Sequence, residues 1–408
     1  MPPLKSLSRN TLALLLSNTG SAVLSFALSV IIGRALGKEG LGVYAAALAW
    51  VFPLSLVAEF GIGTLMTREA ARAPELEASY LRLSTQTRLW LGGSLTVLLF
   101  LLAPFLSDDA AVVQGLRLST PLILITPLFS SITALFRARQ QMWPVPWLNL
   151  GMLVAQVALT TLVFILGGDV LHALLVNTLT SAVQLAVAWW IWRRWFTPPA
   201  VAASSPTLLM RDMLRQAWPF ALAGILAAMQ FRLAPILLEK LSDTGNVGYY
   251  AAASRFVEAG RTIPNALFGA LFPLLAVLVS QPDKMRQTFR KVMLGLAAFS
   301  GLLAIVFTLF SPLILNRTYG ADFTAAAATL QISMWALVPS LLRAGLTLYW
   351  YAQSREQLTN QVIAMMLVVQ LALSLWLIPT YGAYGAAWGV LGSELLGVVL
   401  LMLPFRQR

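Results

Sequence analysis

The residues of this chain best suited to chemistry are ionisable side chains inside long apolar segments. One such segment carries Arg255, Glu258, Arg261 and Asn265. At about 100° per residue of helix these positions fall within an arc of about 120°, so they form one polar stripe. A charge at mid-bilayer costs about 2.5–3.5 kcal/mol, so the stripe needs a cavity or a partner. Guanidinium groups bind phosphate oxygens in bidentate fashion, which predicts an anion-binding cavity wall; alternatively, Glu258 neutralises an arginine and the group joins helices.

Five further ionisable residues lie in or at the ends of apolar segments. Arg232 is expected either to face the same space as the stripe or to form a structural pair. Arg343 and Glu394 are expected to pair with each other across two helices. Glu59 is a candidate proton carrier or the counter-ion of an arginine. Arg34 ends the first segment, where an arginine either extends to the membrane interface or contacts a substrate.

The composition places these segments in a membrane. Hydrophobic residues make up 58% of the 408 residues and charged residues only 11%, whereas soluble domains carry roughly 25% charged residues. The chain has no cysteine and one histidine, which excludes thiolate metal sites and disfavours histidine-built ones. The net charge of +12 comes from basic residues beside the apolar segments, which argues against nucleic-acid binding. No GxxxxGKS phosphate loop is present, so we expect no ATP hydrolysis by this chain.

Apolar segments of this length can cross about 30 Å of hydrocarbon as helices. With the predicted spans, most lysine and arginine residues, including Arg88, fall on the side of the membrane that holds the N-terminus. Because cytoplasmic loops carry an excess of these residues, we expect both termini in the cytoplasm. The predicted fold is an all-α polytopic membrane protein with twelve transmembrane helices. The predicted spans are 11–36, 43–66, 81–106, 116–136, 145–167, 170–192, 212–238, 248–279, 290–315, 325–350, 358–379 and 383–405.

The chain contains a weak internal repeat. An offset of 206 residues aligns Gly42 with Gly248, and an offset of 214 gives further matches later in the chain. The repeat predicts two six-helix lobes with the same orientation around a central cavity. We expect an N-terminal lobe at 1–195, a cytoplasmic linker at 196–210 and a C-terminal lobe at 211–408.

Four segments show the pattern of a known family, and they occur in the family's order: "GRALGKEGLGVYAAALAW…FGIGTLMTREAAR" (33–72), "NVGYYAAASRFVEAGRTIPNALFGALFPLL" (246–275), "YGADFTAAAATLQI" (319–332) and "IPTYGAYGAAWGVLGSELLG" (378–397). With them the chain resembles bacterial polysaccharide flippases of the multidrug/oligosaccharidyl-lipid/polysaccharide exporter superfamily. The resemblance implies translocation of an undecaprenyl-pyrophosphate-linked oligosaccharide from the cytoplasmic to the outer leaflet by alternating access. It also implies the bacterial inner membrane and surface polysaccharide biosynthesis.

The resemblance leaves several functional questions open. The seventh span often carries an acidic residue in the family, whereas this chain has Gln230 and Arg232 there, so the coupling ion is open between H+, Na+ and the membrane potential. An ion-coupled small-molecule or multidrug antiporter of the same superfamily is the alternative function. A membrane enzyme of glycan synthesis is disfavoured by the short outer loops.

The expected partners are the lipid-linked glycan, the bilayer and other polysaccharide assembly proteins. We expect no cofactor beyond a coupling ion and no bound metal. The candidate substrate-binding residues are Arg34, Arg232, Arg255 and Arg261. The candidate ion-coupling or counter-ion residues are Glu59, Glu258 and Glu394.

Overall fold

A computed structural model describes residues 4–196 and 210–406, and all regular structure within these ranges is helical. Most of the predicted linker, 196–210, lies outside the described residues. The helices are α1 (Leu4–Glu59), α2 (Ile62–Arg72), α3 (Glu77–Leu106), α4 (Ala110–Ser119), α5 (Leu122–Ala138), α6 (Pro144–Ile165), α7 (Val170–Trp195), α8 (Met210–Leu241), α9 (Thr244–Leu278), α10 (Pro282–Thr318), α11 (Ala327–Ala352) and α12 (Glu356–Arg406), with short 3-10 turns at Pro74–Leu76 and Ala321–Ala326.

The predicted all-α membrane fold is confirmed. Within the described ranges, nine helices are long and apolar enough to cross a membrane, or ten if α8, which bends by 42°, counts as one span. Helices α1 and α12 have 56 and 51 residues, more than two crossings of about 30 Å require at 1.5 Å per residue. Each therefore has the length of two predicted spans, and the total of twelve stays a prediction.

Both long helices are interrupted by a glycine in a left-handed conformation. Gly37 of α1 has φ 69° and Gly382 of α12 has φ 52°, values that glycine adopts without steric cost. The break at Gly382 is filled by Asn246, whose side-chain Oδ1 accepts a hydrogen bond of 3.0 Å from the Ala383 backbone N–H. A Cβ at Gly382 would lie 2.4 Å from the same Oδ1 atom, so the asparagine and the glycine fit each other.

The helices pack into two compact units, and neither unit is one continuous stretch of chain. Unit 1 comprises Met1–Leu28 and Ala46–Arg232, and unit 2 comprises Ser29–Ala45 and Leu233–Arg408. The predicted lobes follow the sequence repeat, whereas these units follow packing. The lobe boundaries therefore stay a prediction.

Unit 1 has a core of apolar side chains from α2, α3, α5 and α7. Phe136, Trp192 and Phe196 form an aromatic group within it, with the Trp192 and Phe196 rings stacked at 5.6 Å. Arg139 stacks on Trp192 and makes a bidentate ion pair with Glu77, whose side chain is 2% exposed. This end of α5 is thus tied to α3 and α7 by both charge and packing.

Unit 2 brings together two glycines that the sequence repeat aligns. A Cβ at Gly42 would lie 1.7 Å from the backbone oxygen of Thr244, and a Cβ at Gly248 would lie 2.0 Å from that of Lys38. The glycine-rich segment after Gly37 therefore packs backbone to backbone against the start of α9. No other residue type fits at either position without moving the backbone.

Candidate functional site

The polar stripe of α9 begins with an ion pair between Arg255 and Glu258. The Arg255 Nη1 atom lies 2.8 Å from Glu258 Oε2, so Glu258 forms an ion pair with an arginine of the stripe. The two side chains are 31% and 53% exposed although α9 is apolar enough to cross a membrane. Because exposed charges are unstable in hydrocarbon, this face of α9 fits a water-accessible cavity.

Two turns further along α9, Arg261 joins a buried network with α11 and α12. Its Nη2 atom donates a 2.7 Å hydrogen bond to Ser340 Oγ, and Ser340 donates one of 3.1 Å to Glu394 Oε1. Arg343 donates to both oxygens of Glu394, through Nε at 2.5 Å and Nη2 at 3.2 Å. The predicted pairing of Arg343 with Glu394 is thus observed, and the Glu394 side chain is only 4% exposed.

The group contains three arginines, Arg255, Arg261 and Arg343, and two carboxylates, Glu258 and Glu394. Its formal charge is therefore +1. Ser340 orients the Arg261 guanidinium by accepting its hydrogen bond. The sequence prediction missed Ser340, because hydroxyl residues are common in apolar helices and carry no distinctive spacing.

The other two candidate substrate-binding arginines have packing contacts of their own. Arg34 donates from Nε to the Thr318 backbone oxygen at 2.6 Å and from Nη2 to that of Arg317 at 2.5 Å. A guanidinium there satisfies the last carbonyls of α10 and complements the helix dipole. Arg232 belongs to unit 1, where its guanidinium lies 4.7 Å from the centre of the Phe52 ring.

A second polar cluster lies inside unit 1 around Glu59. The carboxylate accepts a 2.6 Å hydrogen bond from Ser130. The completely buried Arg88 donates to the Pro127 backbone oxygen and to Ser131 Oγ. A Cβ added at Gly63 would meet Glu59 Oε1 and Ser130 Oγ at 2.8 Å and Arg88 Nη2 at 3.7 Å, so these groups converge there.

Arg88, which the sequence analysis counted among the cations on the side of the N-terminus, is completely buried. Its side chain has no exposed surface, because α3 presents it to α5. The position of Arg88 inside the predicted span 81–106 was the feature of the sequence that could have indicated its burial. Within the described ranges, no group of three His, Asp or Glu side chains could hold a metal ion.

Comparisons with solved structures show which fold these helices form. A multidrug resistance MATE family transporter of the MOP superfamily, in an inward-facing conformation, is 15% identical with a TM-score of 0.80, covering 95% of this chain and 94% of its own. The lipid II flippase MurJ, in an inward closed conformation, is 14% identical with a TM-score of 0.79, covering 96% and 87%. A MOP superfamily transporter from Pyrococcus furiosus is 13% identical with a TM-score of 0.67, covering 99% and 95%.

Sequence comparison supplies the family. No curated protein sequence matches the chain significantly. A family model described as polysaccharide biosynthesis protein matches residues 7–279, which is more than half of the chain. The chain therefore belongs to the polysaccharide biosynthesis protein family.

Proposed function

We propose that the chain is a flippase that translocates an undecaprenyl-pyrophosphate-linked oligosaccharide from the cytoplasmic to the outer leaflet by alternating access. The observation that carries the proposal is the arginine-bearing stripe on the membrane helix α9, with Arg255 in a partly exposed ion pair and Arg261 held by Ser340. Membership of a polysaccharide biosynthesis family and the fold shared with a lipid II flippase support it. We place the protein in the bacterial inner membrane with both termini in the cytoplasm.

In this mechanism, the arginines bind the pyrophosphate while the isoprenoid tail stays in the bilayer. A pyrophosphate group offers several anionic oxygens, which match the paired N–H donors of guanidinium groups. Arg255 would exchange part of its contact with Glu258 for the substrate, whereas Arg261 is already positioned by Ser340. Arg34 and Arg232 are secondary candidates, since each already has a packing contact.

The carboxylates differ in their suitability for ion coupling. Glu394 receives hydrogen bonds from Arg343 and Ser340 on both of its oxygens, which favours a counter-ion role. Glu258 pairs with Arg255 and is partly exposed. Glu59 accepts from Ser130 and lies near the buried Arg88, so it is the proposed site for H+ or Na+ if transport is ion-coupled. The membrane potential acting on the anionic substrate is the other proposed energy source.

A small-molecule or multidrug antiporter is the second candidate function, because the MATE family transporter shares the fold with a TM-score of 0.80. The solved structures with the same fold are transporters and a flippase, which agrees with the expectation that the chain is not an enzyme. Other polysaccharide assembly proteins remain proposed partners.

A flip assay in liposomes tests the proposal. Purified protein is reconstituted with a fluorescent undecaprenyl-pyrophosphate oligosaccharide, and its accessibility in the opposite leaflet is followed with and without ion gradients. We expect Arg255→Ala and Arg261→Ala to reduce the rate at least about tenfold, because each removes a charge-assisted contact worth about 1.5–3 kcal/mol. Arg117→Ala, which removes an exposed arginine of unit 1, is the matched control.

Two outcomes would contradict the proposal. Unchanged transport in both α9 variants would give the stripe a purely structural role. Folded wild-type protein that moves no glycan, but exchanges a cationic drug for protons or sodium, would establish the antiporter instead.

A further inference from the structure

The beginning of α10 carries a group of four exposed cations that the proposed transport mechanism does not use. They are Lys284, Arg286, Arg290 and Lys291, which we call the α10 basic patch. Within the described ranges, none of the four forms an ion pair, whereas the exposed Arg68 and Arg72 both pair with Glu69. Asp283 is the one acidic neighbour in this stretch of sequence. The patch is therefore a local excess of positive charge at a helix end.

The orientation of the patch is fixed by the core of unit 2. Met285 and Phe289, on the opposite side of the same helical turns, are 3% and 7% exposed. The Phe289 ring lies 4.7 Å from that of Tyr349, which in turn packs on Trp350. With these two side chains buried, the four cations are spread over about 160° of the outward face of the helix.

The same outward face continues along α10 as an exposed apolar stripe. Leu294, Leu302, Ile305 and Leu309 are 63%, 63%, 49% and 68% exposed. At about 100° per residue these four positions fall within about 80° of one another and inside the angular range of the basic patch. An exposed apolar stripe on a helix whose apolar segment has a mean hydropathy of 2.4 is a surface that faces lipid tails.

The position of the patch along the helix matches the lipid headgroups. Lys291 and Arg290 precede Leu294, where the stripe begins, by about 4.5 and 6 Å along the axis at 1.5 Å per residue, and the headgroup region of one leaflet is roughly 5–8 Å thick. These two cations therefore lie at headgroup depth, and Lys284 and Arg286 lie just beyond it on the side away from the tails. A soluble protein partner would not require this continuity with a lipid-facing surface.

We infer that the α10 basic patch binds the phosphate groups of anionic phospholipids in the leaflet where α10 begins. Lysine and arginine side chains at this depth attract anionic headgroups, and their long stems pack along the apolar boundary. Each cation in the headgroup region contributes about a fivefold preference for an anionic surface. The inference is independent of the transported substrate.

The test measures which lipid surrounds this helix end. The chain has no cysteine, so Gln287→Cys places a single fluorescent donor in the middle of the patch. The protein is incorporated into phosphatidylcholine nanodiscs that contain tail-labelled phosphatidylglycerol or tail-labelled phosphatidylcholine at equal mole fraction. We expect energy transfer to report about fivefold or greater local enrichment of phosphatidylglycerol over phosphatidylcholine at low salt.

Three variants make the outcome decisive. Replacing the four cations with glutamine should abolish the enrichment, whereas exchanging each lysine for arginine and each arginine for lysine should preserve it. A donor at Leu309→Cys, on the same face but deeper in the helix, should show no preference. Equal transfer to both lipids in the wild type, or enrichment that survives the glutamine variant, would overturn the inference.

Discussion

Replacing Gly42 with alanine tests whether the backbone contact within unit 2 requires a residue without a Cβ. The new Cβ would lie 1.7 Å from the Thr244 backbone oxygen, a contact that must open to at least 3.0 Å. No side-chain rotation can provide this space, because the contacted atom belongs to the backbone. The segment after Gly37 must therefore move away from α9.

The expected magnitude follows from two opposing effects. Overpacking of this kind costs about 1–3 kcal/mol, whereas Gly→Ala within a helix gains roughly 0.5–1 kcal/mol. We expect Gly42→Ala and Gly248→Ala each to lower the free energy of unfolding by about 1–2 kcal/mol. The double variant should cost less than the sum, because separation of the backbones for one methyl group makes room for the other.

Denaturant unfolding in mixed micelles, followed by tryptophan fluorescence, measures these changes. Gly295→Ala and Gly301→Ala are matched controls in unit 2, because a Cβ at either position meets no atom within 4 Å. Both controls should be neutral or stabilised. A Gly42→Ala protein as stable as the Gly295→Ala protein would refute the argument that the close approach depends on glycine.

Three further predictions concern ion pairs and helix ends. Glu394→Gln should destabilise unit 2 by about 3–5 kcal/mol because it leaves the largely buried Arg343 without its counter-ion, and adding Arg343→Met should recover much of the loss in the same unfolding assay. Arg34→Gln should fray the end of α10, seen as faster hydrogen exchange near Thr318, while Arg317→Gln, which leaves the Arg34 contacts intact, should not. Burial of the Asp169 carboxyl favours a higher pKa, but hydrogen bonds from His172 and Leu171 outweigh this effect and hold the pKa of Asp169 below its usual value. The stability that this N-cap contributes should therefore be present at neutral pH and lost as pH falls through the lowered pKa. Asp169→Asn should remove that pH dependence from thermal unfolding.

The sequence was sufficient to predict the features that depend on local pattern. Segment length and composition predicted the membrane helices, and the predicted span 170–192 lies within α7, Val170–Trp195. The pairing of Arg343 with Glu394 followed from the cost of isolated charges in a membrane. These predictions need only helix geometry and hydrophobicity.

Features that depend on tertiary packing could not be predicted in this way. The predicted span 116–136 is divided between α4 and α5 near Thr120 and Pro121. The burial of Arg88 depends on which face α3 presents to α5, and the role of Ser340 depends on the meeting of three helices. A helical wheel shows which residues share a face, but not what that face contacts.

Unit 2 is formed by two separate stretches of the chain, and this has a consequence for biosynthesis. Residues Ser29–Ala45 belong to a unit whose remaining residues begin at Leu233, so this segment is translated roughly 200 residues before most of the chain it packs against. Throughout that interval Gly42 has no Thr244 to contact. Because such long-range contacts form late, unit 2 can be completed only after the second half of the chain has been inserted. The nascent protein therefore holds Ser29–Ala45 without most of their packing partners while roughly 200 further residues are synthesised.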